Sequence, residues 1–276
     1  MIERQRYLNE LIRKKENGLV KVITGIRRCG KSYLLNEIFY DYLIKNKVKK
    51  NHIITIALDD IDNIKYRNPI ELNNYIVSNL KDKGMYYVFI DEIQECKTID
   101  NPYLDYNKIT FIDTLLGLAK RNNVDLYVTG SNSKMLSEDI LTEFRGKADE
   151  VKVMPLTYKE FYDAYKKDKA NAYKEYMTYG GMPFVMSLET HKEKTDYLNG
   201  LFKKIYFADI IERNHLQDKQ LIILENLMNM VASSILPRLA DAQAVKANNN
   251  AICFIFMFYI IIHLRSVGNS FYNVKK

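Results

Sequence analysis

The segment GIRRCGKS (25–32) constrains this chain more than any other part of its sequence. It matches the phosphate-loop pattern G-x-x-x-x-G-K-[ST] at every required position. A β-rich run, LVKVIT (19–24), leads into the segment, and apolar residues at helical spacing follow it, beginning with Leu34 and Leu35. A chance glycine turn is the alternative, but a strand–turn–helix context is the one in which such loops bind phosphate. The sequence therefore predicts a phosphate-binding site here.

The residue types in this loop suit the binding of a nucleotide such as ATP. Glycines let the backbone curl tightly and direct its N–H groups at phosphate oxygens, and a helix that begins at Lys31 presents its positive end to the same place. We expect the Lys31 ammonium to contact the β- and γ-phosphates and the Ser32 hydroxyl to bind Mg²⁺. The predicted nucleotide-binding set is Gly25, Ile26, Arg27, Arg28, Cys29, Gly30, Lys31, Ser32 and Tyr33.

The variable part of the loop carries two arginines and a cysteine. Arg27 and Arg28 either add positive field near the phosphates or are solvated surface side chains, and the sequence leaves both alternatives open. Cys29 lies next to the predicted anion site, and a helix N-terminus can lower the pKa of an adjacent thiol. We therefore expect Cys29 to react with alkylating agents and bound ATP to protect it.

A second motif ends the apolar run MYYVFIDE (85–92). In open α/β sheets, ligands bind beyond the carboxyl ends of the strands. We expect Asp91 to hold Mg²⁺ there, directly or through water, and Glu92 to orient and deprotonate the attacking water. Such strand ends are also common as turns and helix caps, but a complete phosphate loop earlier in the chain favours the catalytic interpretation.

Two further candidates follow later in the chain. The run VDLYVTGSNS (124–133) ends in small polar residues, of which Asn132 is the favoured sensor of the γ-phosphate or the attacking water; helix capping is the alternative. Arg145, in EFRGKADE, could stabilise charge that develops in phosphoryl transfer, although most surface arginines have no such role. The predicted catalytic set is Glu92, Lys31, Asn132 and Arg145, and the predicted metal ligands are Ser32 and Asp91.

Strand and helix patterns alternate along the first part of the chain. The predicted strands cover 19–24, 52–58, 85–92, 124–133 and 150–156, and the predicted helices include 2–16, 69–81 and 110–121. Apolar strands that alternate with helices indicate an α/β fold in which a mostly parallel sheet lies between helices. We predict a phosphate-loop core over residues 1–156 and a smaller helical region over 157–236, which TYGGMPF (178–184) interrupts.

The composition bounds the partners and the compartment. A formal net charge of +7 and a pI near 9.0 are compatible with a polyanionic partner such as DNA, but an Asn-, Ile- and Lys-rich composition explains them equally well. The three cysteines show no metal-ligand spacing, so a reducing cytoplasm is expected. AICFIFMFYIIIHL (251–264) is shorter than the roughly 20 residues that cross a bilayer, so we expect no membrane association.

Together these segments resemble the predicted AAA+-like ATPases of the archaeal-type group of prokaryotes. The resemblance covers roughly residues 1–235 and rests on GIRRCGKS, FIDEIQ (89–94), TGSNSKMLS (129–137), FRGK…VMPLTYKEF (144–161) and YGGMP (179–183). It implies that the GKS loop and the Asp-Glu pair bind and hydrolyse ATP, that TGSNS is the first sensor, and that Arg145 lies near the fifth strand. It also implies a winged-helix-like region after the core and then a domain with a restriction-endonuclease-like fold.

The sequence departs from this family after Ile235, where family members continue into that further domain. The chain instead reads LPRLADAQAVKANNN, then the apolar segment 251–264 and a basic tail. We expect residues 237–276 to be an atypical tail produced by truncation or a frameshift. A divergent terminal helix that packs on the helical region is the alternative.

Two functions fit these motifs. The first is an ATPase whose hydrolysis drives a conformational switch in the helical region. The second is an ATP-gated module that recruits DNA or a partner protein with little or no turnover. A homo-oligomer is compatible with both, because an arginine can act on the nucleotide of a neighbouring subunit. A small-molecule kinase is disfavoured because no second-substrate lid is evident and because the TGSNS and YGGMP segments resemble another family. GTP is disfavoured by family resemblance alone, since no N-K-x-D guanine-binding segment follows the fourth strand.

Overall fold

A computed structural model of the chain describes residues 2–105, 107–130, 144 and 146–202. The chain divides into two compact units, Met1–Pro155 and Leu156–Lys276. The predicted site residues Asn132 and Arg145 lie outside the described residues, and so do residues 203–276, which include the predicted tail. None of the helices described in these ranges combines the length and the apolar character that a bilayer crossing needs.

The first unit is built on a sheet of parallel strands. The strands of this unit are β1 (Val20–Thr24), β2 (Ile53–Ala57), β3 (Tyr86–Asp91), β4 (Ile99–Asp100), β5 (Lys108–Ile109), β6 (Val124–Thr129) and β7 (Ala148–Lys152). Five of them form the parallel sheet in the order β2-β3-β6-β1-β7, and β4 and β5 form a separate antiparallel pair. β6 therefore lies between the strand that precedes the phosphate loop and the strand that ends in Asp91.

Helical segments accompany this sheet along the chain. They are α1 (Gln5–Lys14), α2 (Lys31–Tyr33), a π-helical segment (Leu34–Phe39), α3 (Tyr40–Lys45), α4 (Pro69–Asn79) and α5 (Phe111–Leu118). Short 3₁₀ segments lie at Lys50–His52, Ile61–Arg67 and Ile93–Glu95. The chain is thus helical without a break from Lys31 to Lys45, as the apolar spacing after the phosphate loop predicts.

The helices cover both faces of the sheet and give each face its own buried core. One core joins α1 and the helix after the phosphate loop to one side of the strands; it contains Tyr7, Leu11, Leu35, Phe39, Phe89 and Tyr127. The other core joins α4 and α5 to the opposite side; it contains Leu72, Ile76, Val88, Leu115, Leu118 and Val128. Consecutive residues of β3 and β6 alternate between the two cores, because strand side chains point to opposite faces. The predicted α/β fold, with a mostly parallel sheet between helices, is confirmed.

Element ends differ from the sequence-based bounds by a few residues. The fifth strand ends at Lys152 rather than at Leu156, although the Val153 N–H still donates to the Thr24 carbonyl at 2.8 Å. The helix signal at Asn68-Pro69 is confirmed, since the Asn68 side chain caps α4 by accepting from two backbone N–H groups. The β4–β5 pair was not predicted, because two-residue strands are too short to show an alternating pattern.

The second unit is helical in its described part, residues 156–202. Its helices are α6 (Tyr158–Ala164), α7 (Ala172–Tyr179) and α8 (His191–Leu201), with 3₁₀ segments at Lys169–Asn171 and Pro183–Ser187. Gly180 ends α7 with a φ of 73°, and a Cβ atom on Gly181 would lie 2.1 Å from the Leu156 carbonyl oxygen. The two glycines therefore explain why the helical pattern breaks at 178–184. The winged-helix-like assignment stays a prediction.

Candidate nucleotide-binding site

The loop between β1 and α2 requires glycine near both of its ends. Gly25 has a φ of 148°, and a Cβ atom there would lie 2.3 Å from the Val153 carbonyl oxygen and 2.9 Å from Cys29 Sγ. Gly30 has a φ of 100°, in the left-handed region, and directly precedes α2. Neither position accepts a side chain without strain. The backbone can therefore curl around an anion and bring the start of a helix to it.

Lys31 is buried although it carries a charge. Its side chain lies within the loop, where Nζ donates to the Gly25 carbonyl at 3.1 Å and to the Ile26 carbonyl at 3.0 Å. These hydrogen bonds compensate the loss of hydration. The loop therefore holds a positive charge at the place where the sequence predicts phosphate groups.

Polar groups from three chain segments meet where β3 and β6 end beside the start of α2. Ser32 Oγ donates to Asp91 Oδ1 at 3.0 Å. The Thr129 hydroxyl donates to the same Oδ1 atom and accepts from the Glu92 N–H, the latter at 3.2 Å. Sequence reasoning identified Ser32, Asp91 and Glu92 but missed Thr129. The available signal was a polar last residue on a buried apolar strand, inside the quoted TGSNS segment.

The surroundings of Asp91 shift its titration. Burial raises the pKa of the Asp91 carboxyl above its ordinary value, and the charges of Glu92 and Asp59 act in the same direction. Hydrogen bonds from Thr129 and Ser32 act in the opposite direction but do not outweigh burial. A carboxylate whose charge is disfavoured by burial and by neighbouring acids gains from a nearby cation. This environment suits a metal ligand.

Glu92 is held by its backbone and by a neighbouring side chain. It follows β3 in the left-handed conformation with a φ of 51°, which is uncommon for a residue other than glycine. Gln94 Nε2 donates a hydrogen bond to Glu92 Oε2. The other end of that amide, Gln94 Oε1, is buried and has no hydrogen-bond partner among the described residues. Gln94, which sequence reasoning did not assign a role, thus orients the candidate general base.

The expectation that Cys29 is a reactive thiol is wrong. Its side chain is fully buried, and Sγ donates to the Val153 carbonyl at 3.4 Å. Burial raises the pKa of the thiol and outweighs the opposing charges of Lys31 and Arg4. Because the thiolate is the nucleophilic form, Cys29 is a packing residue of the loop in the folded protein.

The remaining predicted site residues, Arg27, Arg28, Tyr33, Asn132 and Arg145, differ in exposure or lie outside the described residues. Arg28 is exposed with a φ of 64°, which favours the solvated-surface alternative for its side chain. Arg27 is half-buried, and Tyr33 is exposed at the start of the helix after the loop. Asn132 and Arg145 lie outside the described residues, so their roles stay predictions.

The residues present fit a magnesium–nucleotide ligand. Ser32 and Asp91 supply a hydroxyl and a carboxylate oxygen within one hydrogen bond of each other, and oxygen donors are the ligands that Mg²⁺ prefers. The loop backbone and the Lys31 ammonium supply the N–H donors and positive charge that phosphate oxygens require. The arrangement can therefore position a triphosphate beside a candidate base, Glu92.

One family model and two proteins of known sequence match more than half of this chain. A family model of the AAA domain matches residues 17–162, which is more than half of the chain. An uncharacterized protein of Haemophilus influenzae is 28% identical over 264 residues, covering 91% of this chain and 62% of that protein. An uncharacterized protein of Methanocaldococcus jannaschii is 29% identical over 234 residues, covering 78% of this chain and 48% of that protein. The chain thus spans less than two thirds of the length of these relatives.

Solved structures show weaker similarity. The Walker-type ATPase of Pyrococcus abyssi superposes with a TM-score of 0.48 at 16% identity, covering 88% of this chain and 76% of that one. A DNA polymerase III gamma subunit-related protein from Thermotoga maritima superposes with a TM-score of 0.40 at 14% identity, covering 94% of this chain and 98% of that one. Similarity at this level adds nothing to the assignment of the site.

Proposed function

Since this chain belongs to the AAA domain family, we propose that it binds ATP with Mg²⁺ and hydrolyses the nucleotide to drive a conformational switch. One observation carries the proposal: Ser32 Oγ lies 3.0 Å from Asp91 Oδ1. This hydrogen bond joins the phosphate loop to the end of β3. Both proposed metal ligands are therefore at one point of the sheet edge, beside the loop that would hold the phosphates.

Binding depends on the loop and on Lys31. The N–H groups at the start of α2 would bind β-phosphate oxygens, and the Lys31 ammonium would exchange its two carbonyl partners for phosphate oxygens. Ser32 and Asp91 would hold Mg²⁺, which when bound neutralises negative charge on the phosphate oxygens.

Hydrolysis requires a base beside the γ-phosphate. Glu92 is the proposed base, and it would accept a proton from the attacking water. Its backbone N–H donates to Thr129, and its carboxylate accepts from Gln94, so both ends of the residue are held. A base held in place contributes to catalysis by orientation as well as by proton transfer. Asn132 and Arg145 are proposed to contact the γ-phosphate or the water.

A second candidate function is an ATP-gated binding module with little or no turnover. The hydrogen bond from Gln94 to the Glu92 carboxylate favours it, because the carboxylate oxygen that accepts from this amide is already engaged and is not free to accept from a water molecule. In this alternative, nucleotide binding rather than hydrolysis sets the state of the helical region.

The partner and the setting are also proposals. We propose that the protein acts in the cytoplasm. Residues 157–236 are proposed to form a winged-helix-like region that moves and recruits DNA or a partner protein. A homo-oligomer is proposed for the case in which Arg145 acts on the nucleotide of a neighbouring subunit. The resemblance to archaeal-type ATPases supports this arrangement.

Steady-state ATP hydrolysis by the purified chain with Mg²⁺ tests the proposal. We expect Lys31→Ala to lose nucleotide binding, and Glu92→Gln to lose about 100-fold or more in turnover while it keeps binding. Lys120→Ala is the matched control, because Lys120 is exposed in the turn that follows α5, and it should resemble the wild type.

The outcomes separate the two candidates. Turnover that both site variants lose supports an ATPase. ATP binding without turnover in the wild type supports the gated module instead. A wild-type chain that binds no nucleotide overturns both, as does turnover that survives Lys31→Ala.

A further inference from the structure

Arg4 is a buried cation behind the phosphate loop. It lies just before α1 and is 3% exposed. Its Nη1 donates to the Cys29 carbonyl at 3.1 Å, and its Nη2 donates to the Met154 carbonyl at 2.5 Å. A guanidinium group is rarely buried unless its hydrogen bonds are specific, because desolvating the charge is costly. The arginine therefore ties the loop to the chain segment that follows β7.

The contact with Cys29 defines the direction of one peptide group. The described chain contains no cis peptide bond, and in a trans peptide the carbonyl and the next N–H point in opposite directions. With the Cys29 carbonyl turned towards Arg4, the Gly30 N–H must point away from it. Gly30 is the left-handed residue that precedes α2, and such a residue contributes its N–H to anion-binding concavities.

Both backbone polar groups of Met154, in the segment behind the loop, form hydrogen bonds with side chains near the N-terminus. The Met154 carbonyl accepts from Arg4, and the Met154 N–H donates to Tyr7 Oη at 3.0 Å. The Arg4 guanidinium lies over the Tyr7 ring, 4.7 Å from its centroid. Arg4 is thus held by Tyr7 of α1 and by Met154, which lies two residues after β7, and from this fixed position it contacts the loop.

We propose that Arg4 is a positioning residue for nucleotide phosphates. It acts through the Cys29–Gly30 peptide, which it orients so that the Gly30 N–H faces the β-phosphate. The inference rests on the proposed nucleotide binding and extends it to a residue outside the phosphate-loop pattern. Arg4 does not touch the nucleotide in this arrangement, and its effect depends on the second phosphate of the ligand.

The test compares the binding of ADP and the binding of AMP to variants of this 276-residue chain, because AMP lacks the β-phosphate. We expect Arg4→Met to weaken ADP affinity by about tenfold or more, the usual effect of losing a hydrogen bond from a charged group, and to leave AMP affinity near the wild-type value. Arg4→Lys keeps the charge but not the two-armed geometry, so its ADP affinity should be intermediate. Arg13→Met is the matched control, since it removes an exposed cation from α1, the helix that follows Arg4, and should bind ADP like the wild type.

The melting temperature of each variant is measured first, without ligand. Only variants that are folded at the temperature of the experiment are then titrated with ADP and AMP. A folded Arg4→Met variant with wild-type ADP affinity overturns the proposal, and so does an equal loss of ADP and AMP affinity, which indicates general damage to the site. Should Arg4→Met not fold, Arg4→Lys decides in the same way: a selective loss of ADP affinity supports the role, and unchanged affinity refutes it. A wild-type chain that binds neither ADP nor ATP overturns the proposed function itself.

Discussion

The Thr129 hydroxyl donates a hydrogen bond to the Asp91 carboxylate and so joins the ends of two neighbouring strands. The parallel register pairs Ile90 with Val128, which places Asp91 and Thr129 at equivalent positions on β3 and β6. The same hydroxyl accepts from the Glu92 N–H. One side chain thus contacts both residues of the Asp-Glu pair, and the position of that pair depends on it.

Removal of the Thr129 hydroxyl should impair hydrolysis. We expect Thr129→Ala to lower kcat by about tenfold or more, because Asp91 and Glu92 each lose a hydrogen-bond partner. Thr129→Ser, which keeps the hydroxyl, should stay within a few-fold of the wild type. Steady-state ATP hydrolysis measures kcat for both variants. If Thr129→Ala were as active as Thr129→Ser, the Thr129 hydroxyl would have no role in hydrolysis.

Gln94 should affect turnover rather than binding. We expect Gln94→Ala to lower kcat roughly tenfold while ADP affinity is unchanged, because the amide orients the Glu92 carboxylate. Pre-steady-state and equilibrium titrations separate the two effects. A rise in kcat would contradict this expectation and would show that the amide restrains the base, as the gated-module alternative requires.

Gly25 should tolerate no side chain. Gly25→Ala brings a Cβ atom within 2.3 Å of the Val153 carbonyl oxygen, and we expect it to destabilise the fold by about 2 kcal/mol or more. Gly117→Ala is the control, because Gly117 lies in α5 with nothing within 4 Å of the added atom. It should stabilise the protein by roughly 0.5–1 kcal/mol. Urea unfolding measures both changes, and a neutral Gly25→Ala would contradict the loop geometry.

The native protein should protect Cys29 and Cys96 from alkylation with or without nucleotide. Both side chains are buried, and burial raises the pKa of Cys29 and takes that of Cys96 to about 12. At pH 8 little thiolate forms, and the reagent has little access. Peptide mapping after iodoacetamide treatment should show slow labelling of both residues in buffer and fast labelling in denaturant. Fast native labelling of Cys29 that ATP suppresses would restore the reactive-thiol expectation.

The Glu175–Lys194 ion pair should make part of the stability depend on pH. Burial would raise the pKa of Glu175, but hydrogen bonds from Lys194 and Tyr165 outweigh it, so the pKa lies below the ordinary value of 4.5. A carboxyl with a lowered folded-state pKa stabilises the fold above its unfolded pKa, and this contribution is lost as the pH falls through the folded value.

We therefore expect Glu175→Gln to cost about 2 kcal/mol at pH 7, because Lys194 stays buried without its carboxylate. The difference from the wild type should shrink as the pH falls below 4.5. Urea unfolding at pH 7 and at acidic pH measures it. Asp163→Asn, which breaks the exposed pair with Lys159, is the control and should leave the stability close to that of the wild type at both pH values. A pH-independent effect of Glu175→Gln would contradict the assignment.

Much of the fold was predictable because its signals are local. The runs 19–24, 52–58 and 85–92 are apolar and β-rich, and each became a strand within a residue or two of its expected ends. Asn68-Pro69 began a helix as its capping chemistry predicts. The β4–β5 pair escaped detection because a two-residue ladder depends on the partner strand rather than on a pattern of its own.

The candidate site was only partly predictable. Lys31, Ser32 and Asp91 belong to patterns whose spacing reflects their chemistry. Gln94 lies inside the quoted FIDEIQ segment and Arg4 lies outside every quoted motif. Neither residue could be given a role from the sequence, because each acts through hydrogen bonds that only the fold reveals. Cys29 was misjudged because the helix N-terminus, which lowers a thiol pKa, can be seen in the sequence, whereas the burial that outweighs it cannot.

The sequence by itself determined the strand–loop–helix at the phosphate site, the alternation that makes an α/β sheet, and the helix starts. These depend on the conformational preferences of consecutive residues and on local hydrogen bonds. Only the tertiary structure decided that β6 lies between β1 and β3, that Thr129 meets Asp91, and that Arg4 reaches the Cys29 carbonyl. The reason is physical: these contacts join residues distant in the chain, and they form only when burial of both sheet faces brings their elements together.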